Sequence, residues 1–259
     1  MGEREAYTPG TFSWVDLSTT DQDGAKAFYS GLFGWEADDI PVGDGATYSM
    51  QKLNGRDVAA ISAQPEAQRA AGVPPAWNSY VSVESADDTA ARAADLGGTV
   101  HAPPFDVFSS GRMAVIQDPQ GAFFMVWQPN EHIGAGLVNE VGTLVWNELN
   151  TSDTAGAQDF YSGLFGWTIA PFPDSPTEYF AIKVGDANNG GIQALPMPGV
   201  PPNWLAYFGI EDIEAGLAKV AELGGTKVVG PIDIQIAKIA VVQDPQGAVF
   251  ALYAGQTEP

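Results

Sequence analysis

Residues 11–19, TFSWVDLST, alternate between two sets of side chains, the period of a half-buried strand. The run ends in Thr and Asp, so Thr20 or Asp21 can cap a following helix. On that helix Phe28 and Leu32 stand four apart, as do Tyr29 and Phe33, which gives one apolar face. Gly31 and Gly34 are expected to end it. TYSMQKL predicts an inner strand and SAQPEAQRAAGVPP a loop. NSYVSVE opens another strand, and a helix follows as far as the LGG stop. MAVIQDPQGAFFMVW predicts a hairpin, because Asp118-Pro119-Gln120-Gly121 suits a type I turn.

The pattern then repeats. FYSGLFGW fills 28–35 and returns unchanged at 160–167, 132 positions later. WVDLSTTD matches WNELNTSD, PPAWNSYVSV matches PPNWLAYFGI, and LGGT and QDPQGA each occur twice. In the second half EYFAIKV, LAYFGIE and the spacing of Ile213, Leu217 and Val220 restate the strands and helix of the first. Two homologous modules follow, at 10–130 and 139–257. The polar, Gly-rich stretch 131–138 reads as a linker. Within each module the octapeptide reads as a helix end packed on its own sheet.

Composition narrows the possibilities. Of 259 residues 45% are hydrophobic, including seven Trp, eight Tyr and thirteen Phe, enough for a real core. No apolar run reaches the length of a membrane span, and the N-terminus lacks a secretion pattern, so a cytoplasmic protein is expected. The absence of Cys excludes disulfides and thiolate chemistry. A formal charge of -21, with the acids scattered, describes a hydrated surface that repels nucleic acid and anionic membranes. Phosphate loops, dinucleotide fingerprints and nucleophile elbows are missing.

Tandem halves, the FY..LFGW helix end, the LGG stop and the late DP.G turn together resemble the vicinal oxygen chelate superfamily, which includes glyoxalase I, bleomycin-resistance proteins and extradiol dioxygenases. The resemblance implies an α+β fold in which paired βαβββ units curve around a cavity in each module. It also implies three metal-ligand positions per module, usually His, His and Glu. They fall on Trp14, Asn78 and Met125, and on Trp146, Leu205 and Ala251. An indole nitrogen only donates, Leu and Ala offer no lone pair, and a thioether suits soft copper. No metal and no cofactor are therefore expected. His101 and His132 are expected in loops, away from any ligand role.

If the ligand positions face the cavity, strand alternation places further side chains beside them. Trp14, Asp16 and Ser18 share a face, as do Trp146, Glu148 and Asn150. Asn78 joins Tyr80, Leu205 joins Tyr207, Met125 joins Phe123 and Trp127, and Ala251 joins Val249 and Tyr253. The expected cavity is aromatic, with one acid and one tyrosine per module, and Tyr48 and Tyr179 at its mouth. Asp16 or Glu148 could act as a general base or pair with a cation, and Tyr80 or Tyr207 could donate to an oxyanion. The alternative is that these polar groups only satisfy one another. Trp77 and Trp204 are assigned to packing, and Arg112 and Lys238 to solvated strand ends. The expectation is metal-independent binding of a small, partly hydrophobic organic molecule. The other class is a lyase, isomerase, or hydroxylase or dioxygenase with Asp16 or Glu148 as base. The two pockets should differ, and the chain could be a monomer or a homodimer.

Overall fold

The computed structural model describes residues 2–172 and 177–257. The first module runs β1 (Phe12–Thr19), α1 (Gln22–Phe33), β2 (Glu36–Gly43), β3 (Ala46–Leu53), β4 (Arg56–Ala63), α2 (Glu66–Ala70), β5 (Ala76–Ser82), α3 (Ala86–Asp95), β6 (Thr99–Val107), β7 (Gly111–Gln117) and β8 (Phe123–Pro129). The second runs β9 (Leu144–Thr151), α4 (Thr154–Phe165), β10 (Thr168–Pro171), β11 (Tyr179–Val184), β12 (Ala187–Ala194), β13 (Asn203–Gly209), α5 (Ile213–Glu222), β14 (Thr226–Asp233), β15 (Ala237–Gln243) and β16 (Val249–Gly255). Each module forms one eight-stranded mixed sheet, ordered β2-β3-β4-β1-β5-β8-β7-β6 and β10-β11-β12-β9-β13-β16-β15-β14. Two βαβββ units thus meet where β1 runs antiparallel to β5, and where β9 does so with β13. This is the α+β architecture of paired βαβββ units that the family resemblance implies. Among the described residues no helix is long and apolar enough to cross a membrane.

Local chemistry sets the helix ends. Asp21 and Asp153 accept from the amides of Gly24 and Gly156, and so cap α1 and α4. At the other end Gly34 and Gly166 adopt φ 76° and 70°, where a Cβ would be strained. Gly31 does not end the helix. It lies inside α1, and a Cβ there would meet the Leu223 methyls at 2.8 Å, so its role is close approach to the end of α5. The loop after β4 also contains the short helix α2.

The octapeptide does more than dock on its own sheet. Phe28, Tyr29, Phe33 and Trp35 enter a core that includes Phe208, Phe250 and Leu252 from β13 and β16 of the other module. The Tyr29 ring lies 5.5 Å from that of Phe250, and Phe33 lies 5.4 Å from Phe208. Phe160, Tyr161 and Trp167 make the reciprocal core with Phe124, Val81 and Ala114. The polar atoms cross as well. The Tyr29 hydroxyl accepts from the Trp77 indole at 3.0 Å and donates to Asp244 Oδ2 at 3.0 Å. Tyr161 does the same with Trp204 at 2.9 Å and Asp118 at 3.0 Å. The other carboxylate oxygen of each Asp accepts three amides of its own DPQG turn. Trp77 and Trp204 therefore pack, as expected, and also position the bridging phenols.

The shared cores make the modules one cooperative unit, so chemical denaturation should give a single transition. Tyr29→Phe and Tyr161→Phe each strand an indole N–H and a carboxylate oxygen. Each should cost about 1–3 kcal/mol in urea titrations. Two separate transitions, or a cost near zero, would contradict the arrangement.

Candidate functional site

The inward face of module one is built around β1. Register sets Asp16 beside Ala60 on β4 and Asn78 on β5, Trp14 beside Tyr80, and Tyr80 beside Met125. Trp14, Met50, Ala60, Tyr80, Met125 and Trp127 form one buried cluster with Tyr48 packed against it. The carboxylate lies among these rings and is only 6% exposed. Asp16 Oδ2 accepts from Tyr80 at 2.8 Å and Tyr48 at 3.1 Å, and Oδ1 accepts from Asn78 at 2.8 Å. The Trp14 indole donates to the Tyr48 hydroxyl at 3.0 Å, which orients that phenol toward the acid. Burial pushes the Asp16 carboxyl above its ordinary value, and the three donors only partly offset this.

Module two repeats the plan with different parts. Glu148, 5% exposed, accepts from Tyr207 at 2.8 Å and from Gln193 at 2.8 Å. The Tyr179 hydroxyl accepts from the Trp146 indole at 2.8 Å and helps hold the Glu148 carboxyl down against burial. Burial again raises the carboxyl, against the pull of Tyr207, Tyr179 and Gln193. Leu205, Tyr207 and Ala251 are buried, whereas Trp146 and Tyr253 are half-buried.

The two faces thus keep one carboxylate, two tyrosines and one side-chain amide, but the amide changes flank. Asn78 comes from β5 in module one. In module two the matching position is Leu205, and Gln193 reaches in from β12 on the other side of the acid. The longer Glu148 is accompanied by a smaller neighbour: Ala60 stands in register with Asp16, Gly191 with Glu148. A Cβ on Gly191 would lie 2.0 Å from the Tyr179 hydroxyl. Sequence reasoning gave each acid a single tyrosine and left Tyr48 and Tyr179 at the rim. Both act on the acid. Gln193 was missed, although its place two residues after Gly191 puts the two on one face.

The residues at the positions where the resemblance implies metal ligands do not suit a divalent ion. In module one the Trp14 N–H is spent on Tyr48, the Asn78 amide is turned toward Asp16, and Met125 supplies a thioether. In module two Trp146, Leu205 and Ala251 supply no lone pair suited to such an ion. Among the described residues no three His, Asp or Glu side chains converge as a metal set. His101 is exposed against Phe123, its Nε2 3.0 Å from Gln117.

His132 lies in a loop, as expected, but its ring is packed rather than solvated. The stretch 131–138 is not a loose tether but lies along the rim of module one. Ala135 and Gly136 donate backbone N–H to Ser13 and Asp57, both at 2.8 Å. Gly134 adopts φ 112°, and a Cβ there would meet the Ser13 carbonyl at 2.3 Å. Ala135 and Val138 join the cluster containing Trp14 and Trp127, and the His132 ring packs edge-on against both indoles.

On the inward face of module one Trp14, Tyr80, Met125 and Trp127 are buried while Tyr48 and Asn78 are half-buried; in module two Leu205, Tyr207 and Ala251 are buried while Trp146, Tyr179 and Tyr253 are half-buried. Two shallow surface depressions lie elsewhere: one beside the start of α5, one between Pro9 and the end of α4. Phe123 and Val249, expected on the inward face, are exposed strand ends. Arg112 is tied to Asp87 at 2.7 Å and Asp106 at 2.8 Å, while Lys238 is exposed in the first depression.

Known proteins share this plan. The Glyoxalase/Bleomycin resistance protein/Dioxygenase superfamily profile matches residues 11–126. "Putative glyoxylase CFP32" of Mycobacterium tuberculosis (strain CDC 1551 / Oshkosh) is 46% identical over 255 residues, 97% of each chain. "Anthracycline biosynthesis protein DnrV" of Streptomyces peucetius is 32% identical over 257 residues, covering 95% of this chain and 94% of that one. The fold also matches the Mn(II)-bound glyoxalase from Novosphingobium aromaticivorans, with TM-score 0.65, 17% identity, and coverage of 95% of this chain and 82% of that one. For the 2,2',3-trihydroxybiphenyl 1,2-dioxygenase of Sphingomonas wittichii strain RW1 the values are 0.64, 14%, 97% and 92%. With a full-length relative at this identity, and with the duplicated βαβββ sheets in place, the chain belongs to the glyoxalase/bleomycin resistance protein/dioxygenase superfamily.

Proposed function

We propose that the chain binds a small, partly hydrophobic aromatic molecule on its inward faces, and does so without a metal ion. One observation carries this reading. The positions that chelate in metal-dependent relatives hold Trp, Asn, Met, Leu and Ala, while both modules keep a buried carboxylate among aromatic walls, bonded by Tyr48, Tyr80 and Asn78 in one and by Tyr207 and Gln193 in the other. Rings supply contact area, and the few polar atoms fix orientation. The DnrV relative is named for anthracycline biosynthesis, which favours a planar polycyclic aromatic as ligand class.

A second reading is an enzyme of lyase, isomerase or oxygenase type. The raised carboxyls of Asp16 and Glu148 favour it. A desolvated carboxylate with phenols beside it can take a proton from a carbon acid and stabilise the oxyanion formed.

A neutral anthracycline aglycone is a suitable probe, since the amino sugar's cation would also be drawn to a chain of charge -21. It should quench tryptophan fluorescence saturably, and EDTA should leave the curve unchanged. No saturable quenching, or its loss with EDTA, overturns the binding reading. Asp16→Asn and Glu148→Gln should each weaken binding at their own module about tenfold, the value of one charge-assisted hydrogen bond. Conversion of the probe or a related quinone that stops in both variants would favour the enzyme.

The same acids set a pH dependence. Their folded pKa values lie above the unfolded ones, so the folded state holds these protons more tightly. Stability from this source is full below the ordinary carboxylate range. It falls as pH rises from there through the raised folded values. The Asp16→Asn/Glu148→Gln double variant lacks that fall. Its Tm relative to the parent should therefore rise as pH increases from about 4, where ordinary carboxylates titrate, through the raised folded values. A difference that shrinks with rising pH would contradict the assignment.

A further inference from the structure

The stretch 131–138 carries a side chain onto module one that the duplicated plan does not require. His132 packs its ring edge-on against Trp14, with centroids 4.7 Å apart, and against Trp127 at 6.0 Å. Its position is fixed from three sides. Its own amide donates to Ser110 at 3.0 Å, its carbonyl accepts from the Trp127 indole at 2.8 Å, and Gly134 presses the following backbone onto Ser13. The N-terminal segment holds the stretch from outside: Tyr7 donates to the Ala135 carbonyl at 2.7 Å, and the Arg4 amide donates to Gly136 at 3.1 Å. In a ring so firmly placed, Nε2 is buried and has no hydrogen-bond partner. Buried polar atoms without partners are uncommon, because each forfeits its hydration. Leaving one beside two indoles, one of which also bonds the Tyr48 phenol of the Asp16 cluster, is costly unless a ligand completes it.

We propose that His132 is a ligand-contacting residue of module one, its Nε2 forming a hydrogen bond with a hydroxyl or carbonyl oxygen of an aromatic molecule that packs against Trp14 and Trp127. This rests on the binding function proposed above and gives it chemistry: the ligand of module one is an oxygenated aromatic, phenolic or quinonoid, rather than a plain hydrocarbon. Burial holds the imidazole below its ordinary pKa, and the more distant charge of Asp57 only partly opposes this, so the ring is neutral near pH 7. A neutral imidazole can accept from a phenol or donate to a quinone carbonyl, according to its tautomer. Module two offers a different surface, since Trp146 and Tyr253, in the places of Trp14 and Trp127, remain half-buried. The two sites should therefore select different ligands.

The test uses the full chain, 15N-labelled at histidine, with phenol and the anthracycline aglycone as probes. Titration should shift the His132 ring nitrogens while those of His101, exposed on β6, stay in place. His132→Phe keeps a ring between the indoles but removes the nitrogen, and should weaken the tryptophan-quenching affinity at module one about tenfold. His132→Gln returns a polar atom and should recover part of it. Circular dichroism and the urea transition establish that each variant folds. Ring-nitrogen signals unmoved by both probes overturn the proposal, as does unchanged affinity in His132→Phe. If the probes still quench, and Asp16→Asn or Glu148→Gln weakens them while His132→Phe does not, the binding function stands and only the role of His132 falls. If no probe quenches at all, both fall.

Discussion

A phenol held between an indole and a carboxylate, once in each direction across the molecule, is the contact on which the rest of the structure depends. Tyr29 and Tyr161 each join a tryptophan of their own module to the DPQG turn of the other. Around each bridge the octapeptide aromatics fill the space between the first half-sheet of one module and the second half-sheet of its neighbour. Neither module has a complete outer core alone. The opposite, inward faces are consequently free of structural duty to the other half, and there the chain carries its buried acids.

Duplication followed by divergence explains the uneven likeness of the halves. The interface aromatics are identical because each must fit a partner derived from the same ancestor, and a change on one side has to be matched on the other. The inward faces have no such tie. They keep the carboxylate and both tyrosines, yet the amide moves from Asn78 to Gln193, the acid lengthens from Asp16 to Glu148, and the neighbouring methyl disappears at Gly191. These changes conserve a satisfied carboxylate while reshaping what surrounds it. A carboxylate kept against its desolvation cost, by donors of changing origin, fits a retained task better than a packing remnant.

Much of this was legible in the sequence. Period-two alternation paired Trp14 with Asp16, Asn78 with Tyr80 and Met125 with Trp127, the family resemblance turned those three faces toward one another, and capping and turn chemistry placed the helices and the hairpin. What the pattern could not give was the partner of each apolar face. Burial of Phe28 and Tyr29 reads the same whether the covering sheet is their own or the neighbour's. Gly31 looked like a helix terminator because nothing local distinguishes a stop from a close crossing. His132 was passed over because it stands in a polar, Gly-rich stretch that reads as a linker. In the fold Gly134 instead allows tight backbone contact, which only a distant strand reveals. Tyr48 and Tyr179 were seen but set at the rim, since the reach of a tyrosine across a twisted sheet depends on curvature.

The central claim is that an organic molecule, not a metal ion, completes these inward faces. A crystal structure of the chain with the anthracycline aglycone, grown with divalent cations present, tests it most directly. The expected result is planar density against Trp14 and Trp127 or against Trp146 and Tyr253, with an oxygen within hydrogen-bond reach of the acid-tyrosine cluster and no anomalous signal from a metal. A cation coordinated at Asn78 and Met125, or an aglycone bound only at the outer surface, would contradict it.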